Sequence, residues 1–195
     1  MRQPEKRRLV LTYYAMKKCI FLDRDGVLNE EIGTYVYNPD DLIISEGMPE
    51  ALQKLKAAGY LLVVVTNQAG IAMGKYTRDH VWACHEKIQA ACGNLLDALY
   101  FCPHHPDHDT ASLARKPDSL MIEKAIARFG ISPDQSWMVG DRQRDIEAGR
   151  KQRIRGVFIN IHEPTPATAA YAARNLFDAA EYILSSEGGD QRAEP

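Results

Sequence analysis

The chain reads as an α/β protein, a wound parallel sheet with helices on both faces, and three observations carry that reading. Ile20-Phe21-Leu22, Leu61-Leu62-Val63-Val64-Val65 and Trp137-Met138-Val139 are continuous apolar runs, as expected of strands covered on both faces. Each run ends abruptly in polar residues: Asp23-Arg24-Asp25-Gly26, Thr66-Asn67-Gln68 and Gly140-Asp141. Segments of helical spacing separate them. Strands that alternate with helices imply a right-handed, Rossmann-like parallel sheet.

The elements follow in order. The start, Met1-Arg2-Gln3-Pro4-Glu5-Lys6-Arg7-Arg8, is basic like the leading part of a signal peptide, but the apolar stretch 9–15 is short and Lys17-Lys18 interrupts it. Residues 1–16 are therefore read as a disordered extension, with Met16 a possible alternative start. After the first strand, residues 48–58 place Met48, Ala51, Leu52 and Leu55 on one helical face and stop at Gly59, a suitable C-cap. The second strand follows, then a helix over 78–91 with Val81, Cys84, Ile88 and Ala91 in register. Residues 98–101 read as a short strand and 119–129 as an amphipathic helix closed by Gly130. The third apolar run precedes a short helix over 143–151 and a strand over 156–159. Residues 168–184 read as mostly helical, and the polar tail 185–195 as disordered. One domain, 17–184, is expected, with no repeat or low-complexity segment.

Bulk properties narrow the function classes. At 195 residues, 45% hydrophobic and 26% charged, the chain is long enough to bury a substantial core. A formal net charge of -2 argues against a nucleic-acid surface. No apolar run approaches a membrane span. Cys19, Cys84, Cys92 and Cys102 show no disulfide spacing, which points to a reducing compartment and a cytoplasmic protein.

The chemistry is carried by the strand ends, the edge where open α/β sheets bind ligands. Asp23 and Asp25 repel each other unless a cation sits between them or one is protonated. Mg2+ commonly takes one or two carboxylates plus substrate phosphate. Taken alone, the segment is equally an Asp-Gly turn after a strand. The remaining chain breaks that tie. Thr66, Asn67 and Gln68 offer small neutral donors for phosphate oxygens, Arg115-Lys116-Pro117 precedes a helix, and Asp141 ends a third strand four residues before Asp145. A candidate nucleophile, a hydroxyl, a lysine and a metal-binding acid thus occur in one order.

With these motifs, Asp23-x-Asp25-Gly26, Thr66, Lys116 and Gly140-Asp141-x-x-x-Asp145, the chain resembles the haloacid dehalogenase superfamily of phosphatases. Asp23-Arg24-Asp25-Gly26-Val27-Leu28-Asn29, Val64-Val65-Thr66-Asn67-Gln68-Ala69-Gly70, Cys102-Pro103-His104-His105-Pro106 and Arg115-Lys116-Pro117 further resemble its heptose bisphosphate and histidinol phosphatase group, over residues 17–161. The resemblance implies a Mg2+-dependent phosphomonoesterase. Asp23 is expected as nucleophile, forming an aspartyl-phosphate, and Asp25 as general acid and base. Asp23, Asp141 and the backbone carbonyl of Asp25 are the expected metal ligands, with Asp145 orienting Asp141 or Lys116 from behind. Thr66 and Lys116 are expected on the transferring phosphoryl group, and Asn67, Arg115 and Arg142 near the rest of the substrate. Arg115 in particular can grip a second phosphate bidentately.

The spacing leaves no room for a cap domain, since only one helix-sized segment plus loops lies in each interval between Asp23, Thr66 and Lys116. Loops 30–38, centred on Gly33, and 102–109 are then left to shape the mouth. In the second loop the resemblance implies a structural zinc held by Cys-x-His and a later Cys-x-Cys. Cys102 and His104 are present, but Ser112 and Ala114 replace the later pair. Two ligands do not close a tetrahedral site, so a zinc-free loop packed by its prolines is expected. His80, His85 and His162 lack ligand spacing, and Lys87 is expected on a solvated helix face.

The expected substrate is a small phosphorylated sugar, most specifically a heptose 1,7-bisphosphate losing its 7-phosphate in the making of cell-surface glycan precursors. Histidinol phosphate, nucleic-acid 3'-phosphate ends and a phosphate-binding module without turnover are the alternatives. No nucleic-acid or membrane partner is expected, and the protein is expected to be a monomer.

Overall fold

The structure, a computed structural model, describes residues 16–160 and 164–188. The expected extension before Met16, His162 and the tail beyond Gly188 lie outside them. Six parallel strands form one sheet: β1 (Cys19–Leu22), β2 (Leu61–Asn67), β3 (Ala98–Cys102), β4 (Trp137–Gly140), β5 (Arg155–Ile159) and β6 (Tyr171–Ala173). Their order is β3-β2-β1-β4-β5-β6. The chain thus winds outward from β1 in one direction, then returns beside it and winds outward in the other.

The helices are α1 (Met48–Ala57), α2 (Arg78–Ala91), α3 (Leu120–Phe129), α4 (Gln143–Lys151) and α5 (Leu176–Gly188). Alternate residues of the buried strands feed two separate cores. Ile20, Leu22, Val64 and Val139 pack with Leu52, Leu55, Ile88 and Ile183 of α1, α2 and α5. Cys19, Phe21, Val63, Val65 and Met138 pack with Ile122, Ala125 and Ala148 of α3 and α4. Both faces are covered, as the continuous apolar runs required.

The expected helix over 168–184 is corrected at its start. Residues Tyr171, Ala172 and Ala173 pair in parallel with Val157, Phe158 and Ile159 as an edge strand. The alanine-rich segment has good helix propensity, yet the open edge of β5 offers backbone partners that outweigh it. The helix begins only at Leu176 and runs four residues into the segment read as a tail, to Gly188. Lys87 also departs from expectation: it is half-buried and donates to the Pro39 carbonyl at 2.6 Å, tying α2 to the 3-10 turn after the first loop.

Register brings the strand ends level. Leu22 lies opposite Val64 of β2 and Val139 of β4. The one or two residues beyond that level therefore reach the same edge, placing Asp23, Thr66 and Asp141 together. The edge lies where the winding direction changes, between β1 and β4, which is where open α/β sheets leave a crevice.

Candidate active site

The floor of the crevice is a buried charge cluster. The Lys116 ammonium, 2% exposed as a residue, lies 2.9 Å from Asp23 Oδ1 and 2.7 Å from Asp145 Oδ1. It also donates to the Val65 carbonyl at 2.7 Å. Burial pulls its pKa down, but Asp145 and Asp23 outweigh that and hold it above the usual lysine range. Asp145 turns its other oxygen to the Arg142 backbone N–H at 3.0 Å, capping α4. The sequence expectation that Asp145 supports its neighbours is met through Lys116.

Asp23, Asp141 and Asp145 bring one oxygen each within 4.8 Å of one another. Asp141 rises to about 7, first through burial and then through Asp23 and Asp145, with Arg142 opposing. Three buried carboxylates face one buried ammonium, so the cluster carries an excess of negative charge. A hard divalent cation fits this all-oxygen donor set. Asp145 uses both oxygens, one on Lys116 and one on the Arg142 N–H, whereas Asp23 takes Lys116 and the Arg24 N–H on the same Oδ1, leaving Asp23 and Asp141 as the carboxylates best able to take it.

The Asp25 carboxylate lies outside this group. Arg24 grips it from Nε at 3.0 Å and from Nη2 at 2.7 Å and 2.9 Å, while Asn29 donates at 3.1 Å and Gln68 at 3.3 Å. Arg24 Nη2 also donates to the Val36 carbonyl at 2.7 Å, fastening the first loop to the end of β1. Gln68 bridges further, donating to Thr66 Oγ1 at 2.9 Å and accepting from the Tyr76 hydroxyl at 2.8 Å. Tyr76 stacks on Tyr37 with centroids 5.4 Å apart. Hence the loop, the candidate acid and the candidate phosphate-binding hydroxyl belong to one hydrogen-bonded network.

Above the floor is a cavity of about 460 Å3, lined by Asp23, Asp25, Thr66, Asn67, Asp141 and Arg142 among the residues singled out in the sequence. Gly33, Thr34, Tyr35 and Val36 of the first loop form part of its wall. Asn67 has a duty the sequence did not disclose: its amide donates to the Lys116 carbonyl and accepts from the Lys116 N–H, both at 3.0 Å. Arg142 stands 3.2 Å from Asp141 and 3.8 Å from Glu31. Arg115 is half-buried, donates to the His104 carbonyl at 3.3 Å, and is not among the lining residues. Sequence reading gave no role to Arg24, Tyr76 and Arg144, and read Gln68 only as a donor for phosphate oxygens. Arg24 lies within the first motif, and Arg144 is a second arginine in the segment from Asp141 to Asp145.

The second loop holds itself without converging on a metal. His104 Nδ1 pairs with Asp109 at 2.6 Å, and Asp109 accepts the N–H groups of His105 at 2.8 Å and Thr110 at 2.7 Å. The buried Cys102 thiol points to the His104 carbonyl, not to its ring. The donor set therefore does not fit a tetrahedral zinc.

Residues 16–152 match the family model of haloacid dehalogenase-like hydrolases. The chain belongs to that family. Among its relatives is the D-glycero-beta-D-manno-heptose-1,7-bisphosphate 7-phosphatase of Pasteurella multocida, 43% identical, with 86% of this chain and 97% of the relative covered. The enzyme of the same name from Haemophilus influenzae is 36% identical over 88% of this chain and 93% of its own length. The crystal structure of a D,D-heptose 1,7-bisphosphate phosphatase from B. bronchiseptica, complexed with magnesium and phosphate, superposes with a TM-score of 0.78. It is 28% identical and covers 87% of this chain and 99% of its own. The hydrolase family accords with strand-end carboxylates gathered around a lysine.

Proposed function

We propose that this hydrolase is a Mg2+-dependent phosphomonoesterase that removes the 7-phosphate of a heptose 1,7-bisphosphate. One observation carries the chemistry: Asp23 is held by Lys116 at 2.9 Å, beside Asp141, on the floor of a cavity that also exposes Asp25 and Thr66. The names of the relatives support the sugar.

An Asp23 oxygen attacks phosphorus, the bond from phosphorus to the sugar oxygen breaks, and Asp25 donates a proton to that leaving oxygen. Water then attacks the aspartyl-phosphate, Asp25 takes the proton, and inorganic phosphate leaves with Asp23 restored. Lys116 and Thr66 meet the phosphoryl oxygens as charge redistributes. Arg24 and Asn29 hold Asp25 at the cavity wall, where both proton transfers need it. Bound at Asp23 and Asp141, Mg2+ neutralises phosphate charge that would otherwise repel the attacking carboxylate. Four free, buried cysteines support a reducing, cytoplasmic setting.

Phosphate release from heptose 1,7-bisphosphate, other sugar bisphosphates, sugar monophosphates and histidinol phosphate, with and without EDTA, tests this reading. The heptose bisphosphate should have the highest kcat/KM, and chelation should abolish turnover. Equal turnover of histidinol phosphate would reject the sugar assignment and leave the phosphatase standing. No release from any ester would reject both.

A further inference from the structure

Gln68 directly follows β2, and its backbone N–H donates at 2.8 Å to the carbonyl of Cys102, the last residue of β3. The residue is 1% exposed and is not among those lining the cavity. The sequence offered its amide to phosphate oxygens, but the fold turns it elsewhere. Nε2 donates to Thr66 Oγ1 at 2.9 Å and to Asp25 Oδ2 at 3.3 Å, while Oε1 accepts from the Tyr76 hydroxyl at 2.8 Å. Both polar atoms of the amide are thereby used. The two groups that Nε2 serves do line the cavity.

The direction of each bond follows from the chemistry of its partner. Both Asp25 oxygens accept from Arg24 Nη2, so the atom of Gln68 that faces Oδ2 has to be the nitrogen. The oxygen then faces Tyr76, which has to donate. Thr66 Oγ1 accepts the second Nε2 proton, and its own hydroxyl proton has no acceptor among the described residues. That proton is free to meet a phosphoryl oxygen. With the amide reversed, Thr66 would give its proton to Oε1, and the Asp25 carboxylate would face an oxygen. Tyr76 opposes that reversal, and its ring is itself held in place. It stacks on Tyr37 of the first loop at 5.4 Å, and a Cβ at Gly70 would collide with it.

We propose that Gln68 is a positioning residue, which holds the Asp25 carboxylate and the Thr66 hydroxyl in fixed relation, and that Tyr76 sets the direction in which its amide faces. The inference rests on the phosphatase reading above and deepens it. Gln68 touches no substrate. It acts through the group that moves the proton and the group that meets the phosphoryl oxygen.

The experiment compares kcat/KM for two esters that differ in leaving group. One is the sugar phosphate that wild type hydrolyses best, whose departing oxygen needs a proton, and the other is p-nitrophenyl phosphate, whose departing oxygen does not. Wild type, Gln68→Met, Tyr76→Phe and the double variant are measured. Gln68→Met should lose about 100-fold on the sugar phosphate and about 10-fold on p-nitrophenyl phosphate, since both esters use Thr66 and only the first uses the Asp25 proton. Tyr76→Phe keeps the ring stack and should lose about 10-fold on the sugar phosphate and about threefold on the other ester. Added to Gln68→Met, it should change kcat/KM by less than about twofold, because it acts through the amide. A variant that merely loses folded protein loses both esters alike. Should Gln68→Met fail to fold, the selective loss in Tyr76→Phe decides alone. Equal losses on the two esters, or no loss on either, would overturn the proposal and leave the phosphatase reading intact. A Tyr76→Phe loss of the same size with and without Gln68 would remove Tyr76 from the relay. Wild type releasing phosphate from neither ester would reject the phosphatase reading and this proposal together.

Discussion

Lys116 combines two duties in one ammonium group. It neutralises Asp23 and Asp145 beneath the cavity, and in the proposed mechanism it meets the transferring phosphoryl group. Lys116→Met should therefore lose both activity and stability. Removing one partner of a buried ion pair commonly costs about 3–5 kcal/mol, so urea unfolding should show the loss directly. Asp23→Asn should abolish turnover and keep the fold, because it removes a charge from a cluster with an excess of carboxylates. A Lys116→Met protein as stable as wild type would refute the buried network. Asp141 supplies the pH dependence. Its pKa in the metal-free fold is raised from 3.8 to about 7, so this group's contribution to stability is full below the ordinary value and is lost as pH rises through 7. A divalent cation competes with that proton. The Mg2+ affinity, measured by titration calorimetry, should weaken by on the order of tenfold per pH unit below 7 and level off above it. A flat affinity from pH 5.5 to 8 would contradict the raised value.

At the scale of elements, the turns after β1 and β4 decide whether the charges meet. Gly26 takes φ +78° and a Cβ there would come within 2.5 Å of Asp141 Oδ2. At Gly140 a Cβ would collide with the Asp145 side chain. Gly140→Ala should thus displace Asp145, release Lys116 and lower kcat by at least about tenfold, as expected of misplaced phosphoryl-transfer groups. Activity within twofold of wild type would show that α4 can shift at no cost to the site. The second loop depends on Asp109, whose pKa falls to about 2 through the His105 N–H and then His104. Asp109→Ala should speed amide hydrogen exchange in residues 103–114 and leave exchange in the strands unchanged. Unaltered protection would assign the loop's order to its prolines instead.

For the whole molecule, the sheet order matters most. Winding outward from β1 in both directions leaves a crevice at the ends of β1 and β4, and register delivers acids from both strands to it. With no cap domain between β1 and β2 or between β2 and the Lys116 segment, the first loop supplies the wall. Since the same acids repel one another in the folded chain, Mg2+ should stabilise the entire domain. Saturation to a hundred times Kd adds about 2.7 kcal/mol. The melting midpoint should rise more with Mg2+ at pH 8 than at pH 5.5, where the metal must displace a proton. A midpoint indifferent to the metal at both pH values would count against an acidic metal site.

The sequence by itself determined the class of sheet and singled out the carboxylates, hydroxyl and lysine that meet at its edge. Continuous apolar runs such as Leu61 to Val65 can satisfy their burial only between two helical layers, so the pattern shows through locally. Asp23, Thr66 and Asp141 were legible because each directly follows such a run. The strand Tyr171–Ala173 was not, because its backbone partners lie on β5 and nothing in its own alanine-rich composition reports an open sheet edge. Asn67 clasping Lys116, Gln68 linking Thr66 to Asp25, and Arg144 entering the cavity were decided only by the tertiary structure, as was the choice of Lys116 over Asp141 as the partner of Asp145. Each depends on how β1, β2, β4 and α4 are aligned. Local periodicity records which face of an element is buried, whereas a contact between distant side chains depends on register and winding.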